Sequence, residues 1–363
     1  MKQFYSLSLV LWLISGCASK VADNDNVAPE NTPDVPEIHD TTTPQTDLPI
    51  TEEDVSNPDV GTPKTSIWDT IEVTDCVNKG AGTQSCFFTY RYDAPKCGSK
   101  GCSRLMVFFS GGLMSCPDPA DDSAYLGKIA KLGFVSVCAR LYEDSQGAGA
   151  FPYHLEAERV DAVLLAISQH KDIQSAWTGE HLLLTGASHG ATAPVAAMAR
   201  TALEEQPHWK GSGVTGACFF DGIYDIPQFM TLLHENKCNA PVSYERTYSR
   251  YCTWPNPSGP EEWPEPASCM TSGVINDSIT ELPGSVYAVD HWKMIECGSA
   301  AAPCTGDIVP AKPIEAVCAQ IDSEAGKECE YKSYASVSHV TCGRSLTNAG
   351  ACWQWFNALI QKN

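Results

Sequence analysis

Residues 181–190 read His181-Leu182-Leu183-Leu184-Thr185-Gly186-Ala187-Ser188-His189-Gly190, with Ser188 held between two glycines in the G-x-S-x-G spacing. A serine hydroxyl becomes an effective nucleophile toward an acyl carbonyl only when it is exposed to a base and its backbone is held still. The spacing predicts that geometry. A sharp strand-to-helix turn pushes Ser188 above the sheet edge, at the N-terminus of the next helix. The small residues at 186 and 190 let the turn close and let a substrate approach.

Such a turn needs a strand behind it and a helix ahead. The apolar run 181–185 supplies the strand, and the small-residue run Ala191-Thr192-Ala193-Pro194-Val195-Ala196-Ala197-Met198-Ala199 supplies the helix. Across residues 67–363 strands are expected at 67–74, 85–91, 104–110, 134–141, 181–185, 214–220, 285–290 and 328–337. Helices are expected at 121–132, 153–171, 190–205, 226–236, 312–322 and 344–360. In 153–171 the residues Leu155, Val160, Val163, Leu164 and Ile167 fall at near-helical spacing. Two opening strands followed by alternation predict one α/β domain with a mostly parallel central sheet and helices on both faces. Residues 238–283 break the alternation with three cysteines and a cluster of Pro, Trp, Tyr and Glu, and read as an insertion after the sixth strand.

Chain order, elbow and alternation together resemble the α/β-hydrolase superfamily, over about residues 67–361. That resemblance implies an acid after the serine and a histidine last in the chain. His339, in the loop after the final strand, occupies the histidine's place. Gly306-Asp307-Ile308-Val309-Pro310 resembles the stretch that follows the seventh strand, although its Gly directly precedes the Asp, and it makes Asp307 the acid. Asp290, at the end of the expected strand 285–290, competes with it. So do Asp221 and Asp225, in a rarer location after the sixth strand. An oxyanion hole of two N–H donors would use His189, the residue after the nucleophile, and Gly112, with Leu113 as second choice. Leu105–Phe109 runs into Ser110-Gly111-Gly112-Leu113, which resembles the His-Gly-Gly loop of esterases with Ser110 in place of the His. The insertion at 238–283 is in a region that often carries a lid, and a disulfide-pinned surface loop is the other reading.

The amino terminus reads as a targeting segment. Lys2 precedes an apolar stretch of about residues 4–14, too short to span a bilayer comfortably. Ile14-Ser15-Gly16-Cys17 resembles the lipobox of bacterial lipoproteins. By that resemblance residues 1–16 are removed, Cys17 is lipidated, and Ala18 after it points to the outer membrane of the cell envelope. Residues 18–66 hold eleven acidic and two basic side chains, many prolines and threonines, and almost no aromatics. Such a segment cannot bury enough apolar surface to fold. It reads as a tether reaching about 40 Å. Of seventeen cysteines, sixteen follow Thr74, an even number that predicts a disulfide framework in an exported protein. Cys97 with Cys102, and Cys297 with Cys304, bracket short small-residue loops and are expected to pair.

The net charge of −20 argues against nucleic acid as a partner and against direct adsorption to anionic lipid. Gln146-Gly147-Ala148-Gly149-Ala150 lacks the lysine and register of a phosphate loop, and no C-x-x-C or paired His spacing marks a metal, so no cofactor is expected. The expectation is a lipid-anchored serine hydrolase acting on a small-molecule or polymeric ester through an acyl-enzyme. A peptidase or polyester depolymerase on the same scaffold, or a catalytically inactive binding lipoprotein, are the alternatives.

Overall fold

The computed structural model describes residues 66–76, 85–111, 116–141, 153–200, 211–225, 228, 229, 231, 289–297, 311–334 and 346–363. Expectations for the leader and Cys17, the tether, the insertion at 238–283, Gly112, Asp307 and His339 lie outside them.

Among the described residues eight strands form one sheet: β1 (Ile67–Val73), β2 (Cys86–Tyr92), β3 (Cys102–Phe109), β4 (Phe134–Arg140), β5 (Trp177–Ala187), β6 (Thr215–Phe220), β7 (His291–Cys297) and β8 (Glu328–Tyr334). Their spatial order is β1-β2-β4-β3-β5-β6-β7-β8. The β1–β2 and β2–β4 pairs are antiparallel, and every other pair is parallel. The helices bounded within the described residues are α1 (Ala94–Cys97), α2 (Tyr125–Ala130), α3 (Tyr153–Gln169), α4 (Lys171–Ala176), α5 (His189–Arg200), α6 (Ala311–Asp322) and α7 (Leu346–Lys362).

The period of two along β3 explains the layers. Leu105, Val107 and Phe109 point into one core with Val160, Val163 and Ile167 of α3, Val195 of α5 and Ile314, Val317 and Ile321 of α6. Met106 and Phe108 point the other way, into a second core with Leu126 and Ile129 of α2 and Cys352, Phe356 and Leu359 of α7. A sheet covered on both faces buries its central strands completely. The carboxyl half of β5, Leu182 to Ala187, is buried throughout, whereas its first residues alternate with solvent.

Three expectations are corrected. The seventh strand of the described residues is His291–Cys297; Val289 and Asp290, the last two residues of the expected strand 285–290, lie outside it, just before its first residue. Its Lys293 and Glu296 disguised it. Both are buried, and each finds a partner on β8: Lys293 Nζ lies 2.8 Å from Glu330 Oε1, and the Ser333 hydroxyl donates to the Glu296 carboxylate. The expected helix 121–132 is shortened to α2, because the Asp121 carboxylate accepts the Ser123 N–H and hydroxyl (2.8 and 2.7 Å) and folds a turn instead. The expected helix 153–171 breaks at His170, whose extended backbone separates α3 from α4.

Among the described residues five disulfides are complete: Cys76–Cys86, Cys97–Cys102, Cys116–Cys138, Cys218–Cys352 and Cys318–Cys329. The expected Cys97–Cys102 pair is among them. Cys297 is disulfide-bonded, while Cys304 lies outside the described residues. Cys218–Cys352 joins β6 to α7 across 134 residues of sequence. Closing so long a loop removes much unfolded-state entropy. The Cys218→Ala/Cys352→Ala protein is therefore expected to lose about 3–5 kcal/mol of unfolding free energy. Denaturant titration of the oxidised protein measures it, and an unchanged midpoint would contradict it.

Candidate active site

Parallel pairing sets the carboxyl ends of β3, β5, β6 and β7 side by side, through Phe109↔Gly186, Ala187↔Phe220 and Phe220↔Ile295. In an open α/β sheet that edge is where ligands bind. Ser188 lies on it, between β5 and α5.

The Ser188 backbone has φ +56°, the left-handed region that L-residues with a Cβ rarely adopt. Holding it there costs about 1–2 kcal/mol, and local hydrogen bonds offset the strain. The Ser188 N–H donates to the Phe220 carbonyl at 2.9 Å. The Ser188 carbonyl accepts the Ala191 N–H at 2.9 Å and the Thr192 N–H at 3.0 Å. The Thr192 hydroxyl reaches the same carbonyl at 3.2 Å. Ser188 is half-buried while Leu182–Ala187 and His189–Val195 around it are buried. Its place at the start of α5 lets the helix dipole favour negative charge developing beside it.

The two glycines are required by contact as well as by turn type. A Cβ on Gly186 would lie 2.1 Å from the Gly190 oxygen and 2.9 Å from that of Phe109. A Cβ on Gly190 would lie 2.2 Å from the Phe109 oxygen and 2.6 Å from that of Ser110. The elbow therefore packs directly on the end of β3, at Phe109 and Ser110. The Ser110 N–H donates to the Ala139 carbonyl at 3.0 Å, so it still belongs to the ladder with β4 and is not aimed at Ser188.

The other sequence candidates separate by position. Asp290 is exposed, with a carboxylate oxygen 3.7 Å from Lys327 Nζ. Because β7 starts at His291, Asp290 stands at the amino end of the strand, on the opposite edge of the sheet from Ser188, and the correction to the seventh strand removes it as a triad acid. His291 shares that edge, 3.7 Å from the Glu328 carboxylate. Asp225 accepts the Gln228 N–H at 2.9 Å with its carboxylate and caps the turn that follows. Asp221 is on the same edge as Ser188. It is 1% exposed, has φ +45°, and accepts the Cys297 N–H at 2.7 Å. His189, the first residue of α5, is buried.

Two features escaped the sequence reading. Thr192 bridges Ser188 to the chain after β6, since its hydroxyl also accepts the Ile223 N–H at 2.7 Å. Nothing in an isolated threonine of a small-residue helix signals that role. Glu296 is buried beside Asp221. Burial raises its pKa above the ordinary 4.5, the Ser333 hydroxyl opposes the rise, and the Asp221 charge adds to it. Burial and the same carboxylates, with Glu315, push Tyr331 up to about 12.

A carboxyl whose folded pKa is raised favours the fold in its protonated form. Its contribution is present below pH 4.5 and is lost as pH rises through the raised value. Glu296→Gln, which keeps an acceptor for Ser333, is therefore expected to melt above the wild type at neutral pH. The gap should close on acidification below 4.5. Two melting curves that run parallel across that range would contradict this account.

No protein-family model matches the chain, and no curated protein sequence matches it. Solved structures do. The rice cell wall degrading esterase LipA from Xanthomonas oryzae is 12% identical with a TM-score of 0.50, covering 82% of this chain and 89% of that one. Esterase B from Lactobacillus rhamnosis is 14% identical with a TM-score of 0.50, covering 84% of this chain and 89% of that one. Dipeptidyl peptidase 4 from Porphyromonas gingivalis is 12% identical with a TM-score of 0.48; the match covers 81% of this chain but only 36% of that protein's length. What this chain shares with the two esterases is the fold. This chain has the α/β-hydrolase fold, an eight-stranded mixed sheet between two helical layers.

Proposed function

We propose that the protein is a serine hydrolase that cleaves carboxylic esters, with Ser188 as nucleophile, His339 as general base and Asp307 orienting the imidazole. The observation that carries this reading is the left-handed Ser188 at φ +56°, wedged by Gly186 and Gly190 against the end of β3. Ser188 Oγ attacks the acyl carbonyl while His339 takes its proton. The tetrahedral oxyanion accepts hydrogen bonds from the His189 and Gly112 N–H groups. The C–O bond then breaks, the proton passes to the leaving alcohol, and water hydrolyses the acyl-enzyme by the same steps. Asp307 is preferred to Asp221 because Gly306–Pro310 resembles the acid-bearing stretch that follows the seventh strand in many hydrolases, although its Gly directly precedes the Asp. The substrate is a small or polymeric ester.

The protein is further proposed to be exported and lipid-anchored at the cell envelope through Cys17, with residues 18–66 as tether. Five disulfides support an oxidising compartment.

The test is a fluorophosphonate probe on the purified, oxidised protein with peptide mass mapping. Label on Ser188 alone, absent in Ser188→Ala, is the expected result. A folded protein that takes no label, and binds esters without turning them over, would favour the non-catalytic alternative.

A further inference from the structure

Among the described residues, only two non-glycines have a left-handed backbone, Ser188 at φ +56° and Asp221 at φ +45°. They sit at the carboxyl ends of neighbouring strands, and Ser188 donates its N–H to the carbonyl of Phe220, the residue directly before Asp221. We propose that Asp221 is a positioning residue for the nucleophile elbow, acting through its carboxylate as a backbone clamp and not as the triad acid. This rests on the hydrolase reading above.

Asp221 closes the ends of two strands at once. Its N–H donates to the Ile295 carbonyl at 2.8 Å, extending the β6–β7 ladder by one residue. Its carboxylate then accepts the Cys297 N–H at 2.7 Å, beyond the last β6–β7 pair, Phe220↔Ile295. Both Asp221 and Cys297 are buried, at 1% and 0% exposure, so water cannot replace that acceptor. An unsatisfied buried N–H would pull the turn apart.

The turn that Asp221 sets returns to the nucleophile. Its next residue, Gly222, packs so closely on Tyr224 that a Cβ there would lie 2.2 Å from the Tyr224 ring. Ile223 then donates its N–H to Thr192 Oγ1 at 2.7 Å, and that hydroxyl reaches the Ser188 carbonyl at 3.2 Å. Residues 220–223 therefore hold Ser188 on both sides, at its N–H through Phe220 and at its carbonyl through Thr192. The link between those two grips is the left-handed turn at Asp221.

Charge is not what this role needs. The neighbouring Glu296 is buried as well, and a second carboxylate beside it is unfavourable for both. Asparagine tolerates the left-handed region and keeps a carbonyl oxygen for the Cys297 N–H. Glycine tolerates the backbone and has no acceptor.

Three variants on p-nitrophenyl acetate separate the possibilities, with kcat, KM and the fluorophosphonate labelling rate as readouts. Asp221→Asn is expected to keep kcat and labelling within about threefold of wild type. Asp221→Gly and Asp221→Ala are expected to lose about 10- to 100-fold in kcat and labelling with KM little changed, the effect of a nucleophile displaced by a fraction of an ångström. If Asp221→Ala does not fold, the Asn–Gly contrast carries the test. An Asp221→Asn protein as impaired as Asp221→Gly would overturn the proposal and make Asp221 the triad acid. Full activity in Asp221→Gly would overturn it by showing the carboxylate idle. A wild-type protein inert to both ester and probe would instead sink the hydrolase reading, before any variant is made.

Discussion

Ser188→Ala is expected to lower kcat by about five orders of magnitude while leaving the fold in place, because removing a triad nucleophile leaves only the binding and oxyanion contributions. The variant is well matched to the question. The bonds that hold Ser188 to Phe220, Ala191 and Thr192 run through its backbone, which alanine keeps. Alanine retains the Cβ and so the same left-handed strain, and the melting temperature should barely move. The loss is then chemical. His339→Ala should cause a comparable loss, and the Ser188→Ala/His339→Ala protein should be hardly worse than either single variant, because the two groups act as a unit. An additive double variant would place His339 outside the machinery. A Ser188→Ala protein that kept even a hundredth of the wild-type rate would remove Ser188 from the role of nucleophile.

Gly190→Ala is expected to have the largest effect on structure. The new methyl would stand 2.2 Å from the Phe109 oxygen and 2.6 Å from the Ser110 oxygen, both backbone atoms that no rotamer change can move aside. Either the end of β3 or the start of α5 must shift. A loss of at least about 3 kcal/mol is expected, and what folds should lose at least about 100-fold in kcat, since the shift displaces the nucleophile. Gly179→Ala is the reference. Gly179 has φ +78°, so alanine is strained there, but nothing lies within 4 Å of its Cβ. That variant should lose only about 1–2 kcal/mol. Equal melting temperatures for the two would mean that the contact between elbow and β3 is not what requires the glycine.

The elbow was legible because its chemistry is local. Gly186, Ser188 and Gly190 are spaced by the turn itself, and the strand before and the helix after are signalled by runs of leucine and alanine. Cys97–Cys102 was legible for the same reason, since the pair brackets its own short turn. β7 was not. Its Trp292, Met294, Ile295 and Cys297 are interrupted by Lys293 and Glu296, which read as surface. Only the arrival of β8 alongside, bringing Glu330 and Ser333 opposite them, makes those side chains tolerable inside a sheet. The displacement of one strand by a few residues then reassigned Asp290 from one end of the sheet to the other.

Residue order along the chain was enough to specify the alternation of strands and helices, the fold class and the sharp turn that carries Ser188. Each of these follows from hydrophobic period or from the geometry of consecutive peptide units. Tertiary structure alone decided which carboxylates share an edge with Ser188, that β3 presses on the elbow, and that Phe220 and Thr192 hold the Ser188 peptide from both sides. Those contacts join residues on different strands and helices. Their partners are chosen by strand order and register, which arise when the whole sheet assembles and leave no mark at any single position in the sequence.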